Sequence, residues 1–167
     1  EDLVFLARHD DDPFARYEAM QALVVQHLVA AVSGSMAAAA RKAGRAAIAT
    51  ALGAVIADPG LDDSMRGELL ILPAEAYLAE QLNLADPAAI REQREALKAW
   101  LGQQLLGPLT ALHDRVSAVS YSRDAAARGA RKVKTQALVY LAAGAPAEAA
   151  ARAAAQYRAA DNMTDRQ

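Results

Sequence analysis

Residues 7–23 read "ARHDDDPFARYEAMQAL", and two readings compete for them. His9 beside Asp10, Asp11 and Asp12 offers the residue types of a metal site. The same stretch also has the form of a helix start. Asp12 stands where a side chain accepts from free backbone N–H groups, and Pro13 loses nothing at the first helical position. Tyr17, Met20, Val24 and Leu28 follow at helical spacing. Acidic residues also suit the positive end of a helix dipole. A metal site needs several ligands converging from elsewhere in the chain, and no second cluster accompanies this one. The stretch therefore predicts a capped helix running to Ser33-Gly34-Ser35.

The rest of the chain extends that reading. It has 167 residues, of which 54% are apolar and only 5% aromatic. Alanine makes up the difference, and alanine loses no side-chain entropy in a helix. Period-two runs of β-branched residues are nearly absent, so strands have little support. A second helix is expected from about Met36 to Ala57, with Ile48, Leu52, Val55 and Ile56 on its apolar side. Asp58-Pro59-Gly60 reads as a turn. Asp62 or Asp63 caps a short helix through Leu72, and Pro73 opens another anchored by Tyr77, Leu78 and Leu82.

Asp86-Pro87 repeats the cap-then-proline signal. It opens the longest predicted helix, with Ile90, Leu97, Leu101, Leu105, Leu109, Leu112 and Val116 as its stripe. Gly107-Pro108 predicts a kink or break there. Ser120-Tyr121-Ser122 reads as a loop, and a helix from about Arg123 to Ala143 packs Val133, Ala137, Leu138 and Leu141. Gly144 is placed as its C-cap, and Pro146 opens a last helix to about Ala159. Thr164-Asp165-Arg166-Gln167 fits a capping box. The expected fold is all-α, an irregular helical superhelix of antiparallel helix pairs over residues 1–167. With no initiator Met and a capping box at the end, the chain reads as an incomplete part of a larger superhelix.

Charge and composition limit the partners. The net charge of −2 comes with acids and bases interspersed, against a nucleic-acid partner. No apolar run reaches the ~18 residues of a membrane span. The absence of cysteine suits a reducing cytoplasm.

Sites of chemistry are not visible. His9, His27 and His113 form no H-E-x-x-H pair for zinc. His27 is read as flanking the apolar stripe, and His113 as lying on the polar side of its helix. No G-x-S-x-G elbow and no phosphate-cradling glycine loop is present. Arg41-Lys42-Arg45 and Arg128-Arg131-Lys132-Lys134 read as solvated helix faces, with a docking surface or electropositive cavity wall as the sharper alternative. Glu92 and Glu95 beside Arg91 and Arg94 read as surface ion pairs. No catalytic, cofactor-binding or metal-ligating residue is assigned.

Three stretches carry a family resemblance. They are residues 7–23, "LLILPAEAYLAEQLNLADPAAIREQREAL" (69–97) and "YRAADNMTDRQ" (157–167). In this order they resemble the carboxy-terminal helical domain of the bacterial aminopeptidase N family, zinc-dependent gluzincins. Leu72-Pro73, Glu80, Asp86-Pro87 and Arg94-Glu95-Ala96-Leu97 carry most of it, and Asn162-Met163-Thr164-Asp165 supports it. Residues 33–47 are only loosely similar, and Gly107-Pro108 is a local departure. The family's H-E-x-x-H zinc site and its G-x-M-E-N motif are absent, so no catalytic or metal residue carries over. The resemblance implies a non-catalytic cap that docks on a thermolysin-like catalytic domain of the same parent chain, walls the cavity that peptide substrates enter, and leaves zinc to that other domain. The alternative is an independent helical-repeat scaffold for a protein partner. It requires exposed aromatic or Arg anchors, whereas Phe14, Tyr17, Tyr77, Trp100, Tyr140 and Tyr157 mostly fall on predicted apolar stripes. A small-molecule binding bundle has no convergent polar set to support it.

Overall fold

The structure is a computed structural model and describes residues 2–118 and 120–166. Those residues form ten helices and no strand. In chain order they are α1 (Asp2–His9), α2 (Pro13–Val32), α3 (Ala38–Ala57), α4 (Asp63–Leu69), α5 (Glu75–Glu80), α6 (Pro87–Gln104), α7 (Leu106–Ser117), α8 (Ala125–Gly144), α9 (Pro146–Ala159) and α10 (Met163–Arg166). Consecutive helices pack on one another through short connections: α1 on α2, α2 on α3, α7 on α8 and α8 on α9. The expected all-α array of helix pairs is what forms.

Aspartate caps account for four of the ten helix starts among the described residues. Asp12 accepts from the Phe14 N–H at 2.9 Å, and Pro13 is the first residue of α2. The opening stretch is thus a helix start. Asp62 accepts from Ser64 and Met65, Asp86 from Ala88 and Ala89, and Asp124 from Ala127. Each satisfies donors that a helix N-terminus otherwise leaves free. Replacing Asp86 by alanine is expected to lower stability by about 1 kcal/mol, read as an earlier midpoint in urea at an unchanged slope. No change in midpoint would show the cap to be idle. At the other end of α2, Gly34 takes φ 67°, a left-handed conformation suited to glycine after a helix.

Several expectations are corrected. A helix, α1, precedes the predicted first one. Eight residues are too few to hold a helix alone, so its cause is tertiary: Ala7 is fully buried, and Arg16 Nε donates to the Ala7 carbonyl. α3 begins at Ala38 rather than Met36. α4 ends at Leu69, and α5 begins at Glu75 behind Ala74 rather than at Pro73. Leu78 is buried as predicted, but Tyr77, one position and 100° further round a six-residue helix, is exposed. α8 begins after Asp124, and Gly144 is its last helical residue rather than its cap. The predicted box at Thr164 is displaced. Asn162 caps α10, accepting from the Asp165 N–H at 3.0 Å while its own amide donates to the Asp165 carboxylate at 2.8 Å. Gln167 lies outside the described residues.

The predicted long helix does break, three residues before its proline. Leu105 leaves helical geometry at φ −107°, ψ 20° and separates α6 from α7. Pro108 cannot donate to Gln104, and its ring would crowd that carbonyl. Starting a new helix at Leu106 puts Pro108 in a first turn, where N–H groups have no intrahelical partner to lose. The apolar stripe survives the break. Ile90, Leu97, Leu101, Leu109, Leu112 and Val116 are all buried, and Leu105 is half-buried against them.

α8 is the centre of the array, packing against α4, α6, α7 and α9. Its Ala130, Val133, Ala137, Tyr140 and Leu141 lie in the core. Two contacts bring backbone against backbone. Gly102 of α6 meets Gly144 and the Tyr140 carbonyl of α8, and Gly129 of α8 meets Asp63 and Ser64 of α4. A buried guanidinium, Arg66, closes the end of α3 by donating to the carbonyls of Ile56, Asp58 and Leu61, and of Val55.

Candidate functional site

A polar cleft of about 470 Å³ lies between α7, α9, α10 and the loop around Tyr121. His113 and Lys134 form its floor. They are 4% and 8% exposed, respectively. His113 Nε2 lies 3.4 Å from Gln156 Oε1, and the Gln156 amide donates to the Asp165 carbonyl at 2.9 Å. Lys134 Nζ is 2.5 Å from Asp165 Oδ1, off the direction of a well-formed hydrogen bond and so a charge contact. Burial opposes ionisation of Asp165, but the Asn162 amide and the Lys134 ammonium hold its carboxyl below the ordinary range. Arg152 pairs with Asp114 on the rim.

Ser117 and His113 do not form a close nucleophile–base pair in this cleft. The Ser117 hydroxyl donates to the His113 carbonyl at 2.7 Å, a helix back-bond that takes it away from the imidazole. Its 3.4 Å approach to His113 Nδ1 is long. Among the described residues no group of three or more His, Asp or Glu side chains comes together to hold a metal ion. His9 is exposed on α1, His27 is buried on α2 against α3, and His113 faces Gln156 of α9. The residues present therefore do not fit a zinc ion. In this polar cleft Lys134 is paired with Asp165 and Arg152 with Asp114.

The structure moves several residues from where the sequence put them. His113 is buried rather than on the polar side. His27 is buried on the stripe itself rather than beside it. Within the two basic groups Lys42 and Arg128 are exposed, as read, while the other five are engaged by the fold. Arg41 donates to Gln93, Arg45 lies over Trp100, Arg131 lies over Tyr121, Lys132 pairs with Glu68 and Lys134 with Asp165. A spacing signal was available for two of them. Leu109, Leu112, His113 and Val116 stand at i, i+3, i+4 and i+7, as do Ala130, Val133, Lys134 and Ala137. Glu95 makes the expected pair with Arg94 at 3.1 Å and a further one with Lys98 at 2.6 Å, while among the described residues Glu92 and Arg91 form no ion pair. Phe14, Tyr77 and Tyr157 are exposed rather than packed, while Tyr140 is fully buried with its hydroxyl donating to the Leu70 carbonyl.

Residues 1–167 match the family described as a domain of unknown function (DUF3458_C) with ARM repeats. The chain belongs to that family. ARM repeats are stacked helix groups, which is the architecture seen here. The chain is 34% identical over 157 residues to Aminopeptidase N of Caulobacter vibrioides, covering 93% of this chain and 18% of that protein. It is 30% identical over 170 aligned positions to Aminopeptidase N of Escherichia coli, covering 99% of this chain and 19% of that protein. The DUF3458_C chain thus spans less than a fifth of these relatives. Aminopeptidase A of Legionella pneumophila, solved in complex with aspartic acid, shares the fold at a TM-score of 0.80 and 20% identity, over 98% of this chain and 20% of that one. The resemblance to aminopeptidase N read from the three stretches holds along the chain. No helix among the described residues is long and apolar enough to cross a membrane.

Proposed function

We propose that this domain is a non-catalytic wall of a zinc-dependent aminopeptidase, acting in the cytoplasm. It docks on a thermolysin-like catalytic domain of the same polypeptide and bounds the cavity through which peptides reach the zinc. The observation that carries this reading is the 34% identity to an Aminopeptidase N across 93% of the chain, in a domain whose described residues assemble no metal-binding cluster. Zinc, held by residues outside this chain, would polarise the scissile carbonyl and activate water. This chain's contribution is shape and surface charge: the wall excludes bulky, folded substrates and admits extended ones.

The test compares the 167-residue chain with the longer polypeptide that carries it. Both are stripped with chelator, reloaded with zinc, and assayed for bound metal and for release of p-nitroaniline from an alanyl anilide. The long form is expected to bind zinc and turn over, and the short chain to do neither. The short chain is also expected to bind the remainder of the polypeptide when the two are mixed. Zinc-dependent turnover by the short chain would overturn the non-catalytic role, and failure to bind the remainder would overturn the docking role. One finding favours the scaffold alternative in part: Phe5, Phe14, Tyr157 and Met163 are all more than 60% exposed. These side chains are anchors that either kind of interface can use.

A further inference from the structure

We propose that His27 is a proton-operated lock on the α2–α3 pair: a neutral imidazole lets the two helices close, and a proton on it parts them. The geometry is a ring wedged against backbone. His27 lies on the buried stripe of α2 with Met20, Val24, Leu28 and Ala31. A Cβ placed on Gly44 of α3 would stand 2.6 Å from His27 Nδ1, so α3 makes its close approach to the ring at this glycine. Nδ1 is shielded from solvent and has no hydrogen-bond partner.

The surroundings offer nothing to an imidazolium. Protonation makes both ring nitrogens donors, and Nδ1–H would face helix backbone without an acceptor. The charges acting on the ring are Arg41 and Arg45, which flank Gly44 on α3, and no carboxylate is among them. Both guanidiniums are engaged by α6. Arg41 donates to Gln93 Oε1 at 3.2 Å, and Arg45 lies 4.7 Å from the Trp100 ring centroid, both partners being on α6. α1, α4, α5 and α6 also pack against α2. α1 meets it at Arg16 and the loop after α4 at Gln21, on α6 Glu95 is taken up by Arg94 and Lys98, and none of these elements adds a charge to those acting on the ring. Burial, then Arg41 and Arg45, push the imidazole pKa below its usual value. Whichever nitrogen takes the second proton, the imidazolium holds Nδ1–H against α3 with no acceptor and two arginines beside it, and separation of α2 from α3 relieves both.

The sign follows from linkage. A folded pKa below 6.5 gives stability that is complete above that pH and is lost as pH falls through the folded value. The carboxyls of Asp58, Asp63 and Glu95 are held below their usual values, chiefly by the Gly60 N–H, by Arg115 and by Lys98, respectively. Their stabilisation is lost only at lower pH, below about 4. The two windows are separable.

Amide hydrogen exchange at pH 7.5 and 5.5, corrected for intrinsic rates, tests the lock. Residues 24–32 and 41–51 are expected to lose protection several-fold at pH 5.5 while residues 130–141 keep theirs. His27→Gln is expected to remove that difference. Should His27→Gln fail to fold, the wild-type imidazole ¹³C resonance decides: it is expected to titrate below the same resonance in urea-denatured chain. A His27 titration at or above the denatured value, or a loss of protection uniform over all helices, would overturn the proposal.

Discussion

Replacing Arg66 by alanine is expected to remove about 3–5 kcal/mol of stability, the scale for breaking a buried, fully engaged charge. Arg66 is 5% exposed. Its Nη1 donates to Ile56 and Val55, its Nη2 to Asp58 and Leu61 at 2.7 Å each, and its Nε to Asp63 Oδ1 at 3.2 Å. The carbonyls of Val55 and Ile56 belong to the last turn of α3, where a helix has acceptors but no donors of its own. A positive charge there also suits the helix dipole. The substitution strands these acceptors and leaves Asp63 with Arg115 alone, at 2.6 Å on a half-exposed side. Lysine cannot rescue it, because one ammonium cannot reach both sides of the turn as a planar fork does. Arg66→Lys is therefore expected to recover less than half of the loss. Thermal and urea unfolding of both variants would check this, and an Arg66→Ala protein within about 1 kcal/mol of the parent would show the cage to be incidental. A domain with the usual 5–15 kcal/mol in hand is left marginal by such a change.

Adding one methyl group at Gly102 is expected to be nearly as damaging, at about 3 kcal/mol, the upper end for overpacking. The new Cβ would stand 2.1 Å from the Tyr140 carbonyl oxygen and 3.0 Å from the Gly144 nitrogen. Both obstacles are backbone, so no rotamer change relieves the clash and α6 must move off α8. That displacement would disturb Leu101 and Leu141, both in the core. Gly53 is the control. It lies inside α3, and a Cβ there meets Leu105 Cδ2 at 3.6 Å, an ordinary contact. Gly53→Ala is expected to stabilise the protein by about 0.5–1 kcal/mol through helix propensity. If urea midpoints of the two variants moved in the same direction, the close α6–α8 approach would be wrong.

The helix starts were legible because they are local. Asp12-Pro13, Asp62 and Asp86-Pro87 each act on N–H groups two or three residues away, and a reader of the sequence needs nothing more distant. Where a start depends on another helix, the sequence misled. α1 is held by α2 and α3. The floor of the cleft was misread for a related reason. A lysine or histidine on an amphipathic helix declares its face only through its apolar neighbours, and an ion pair with a partner 31 residues away, as for Lys134 and Asp165, leaves no mark on spacing.

By itself the sequence determined that this chain is helical, roughly where most helices begin, which residues fill the core, and which family it resembles. Caps, propensity and a 3.6-residue stripe act within a few residues of one another, so they can be read without coordinates. Only the tertiary structure decided which glycines are contact points, which cations are buried, and that His27 rests against Gly44 with Arg41 and Arg45 on either side. Those facts depend on two helices meeting at one register. Register is set by packing of the whole array, a sum of many weak contacts that no single stretch of sequence contains.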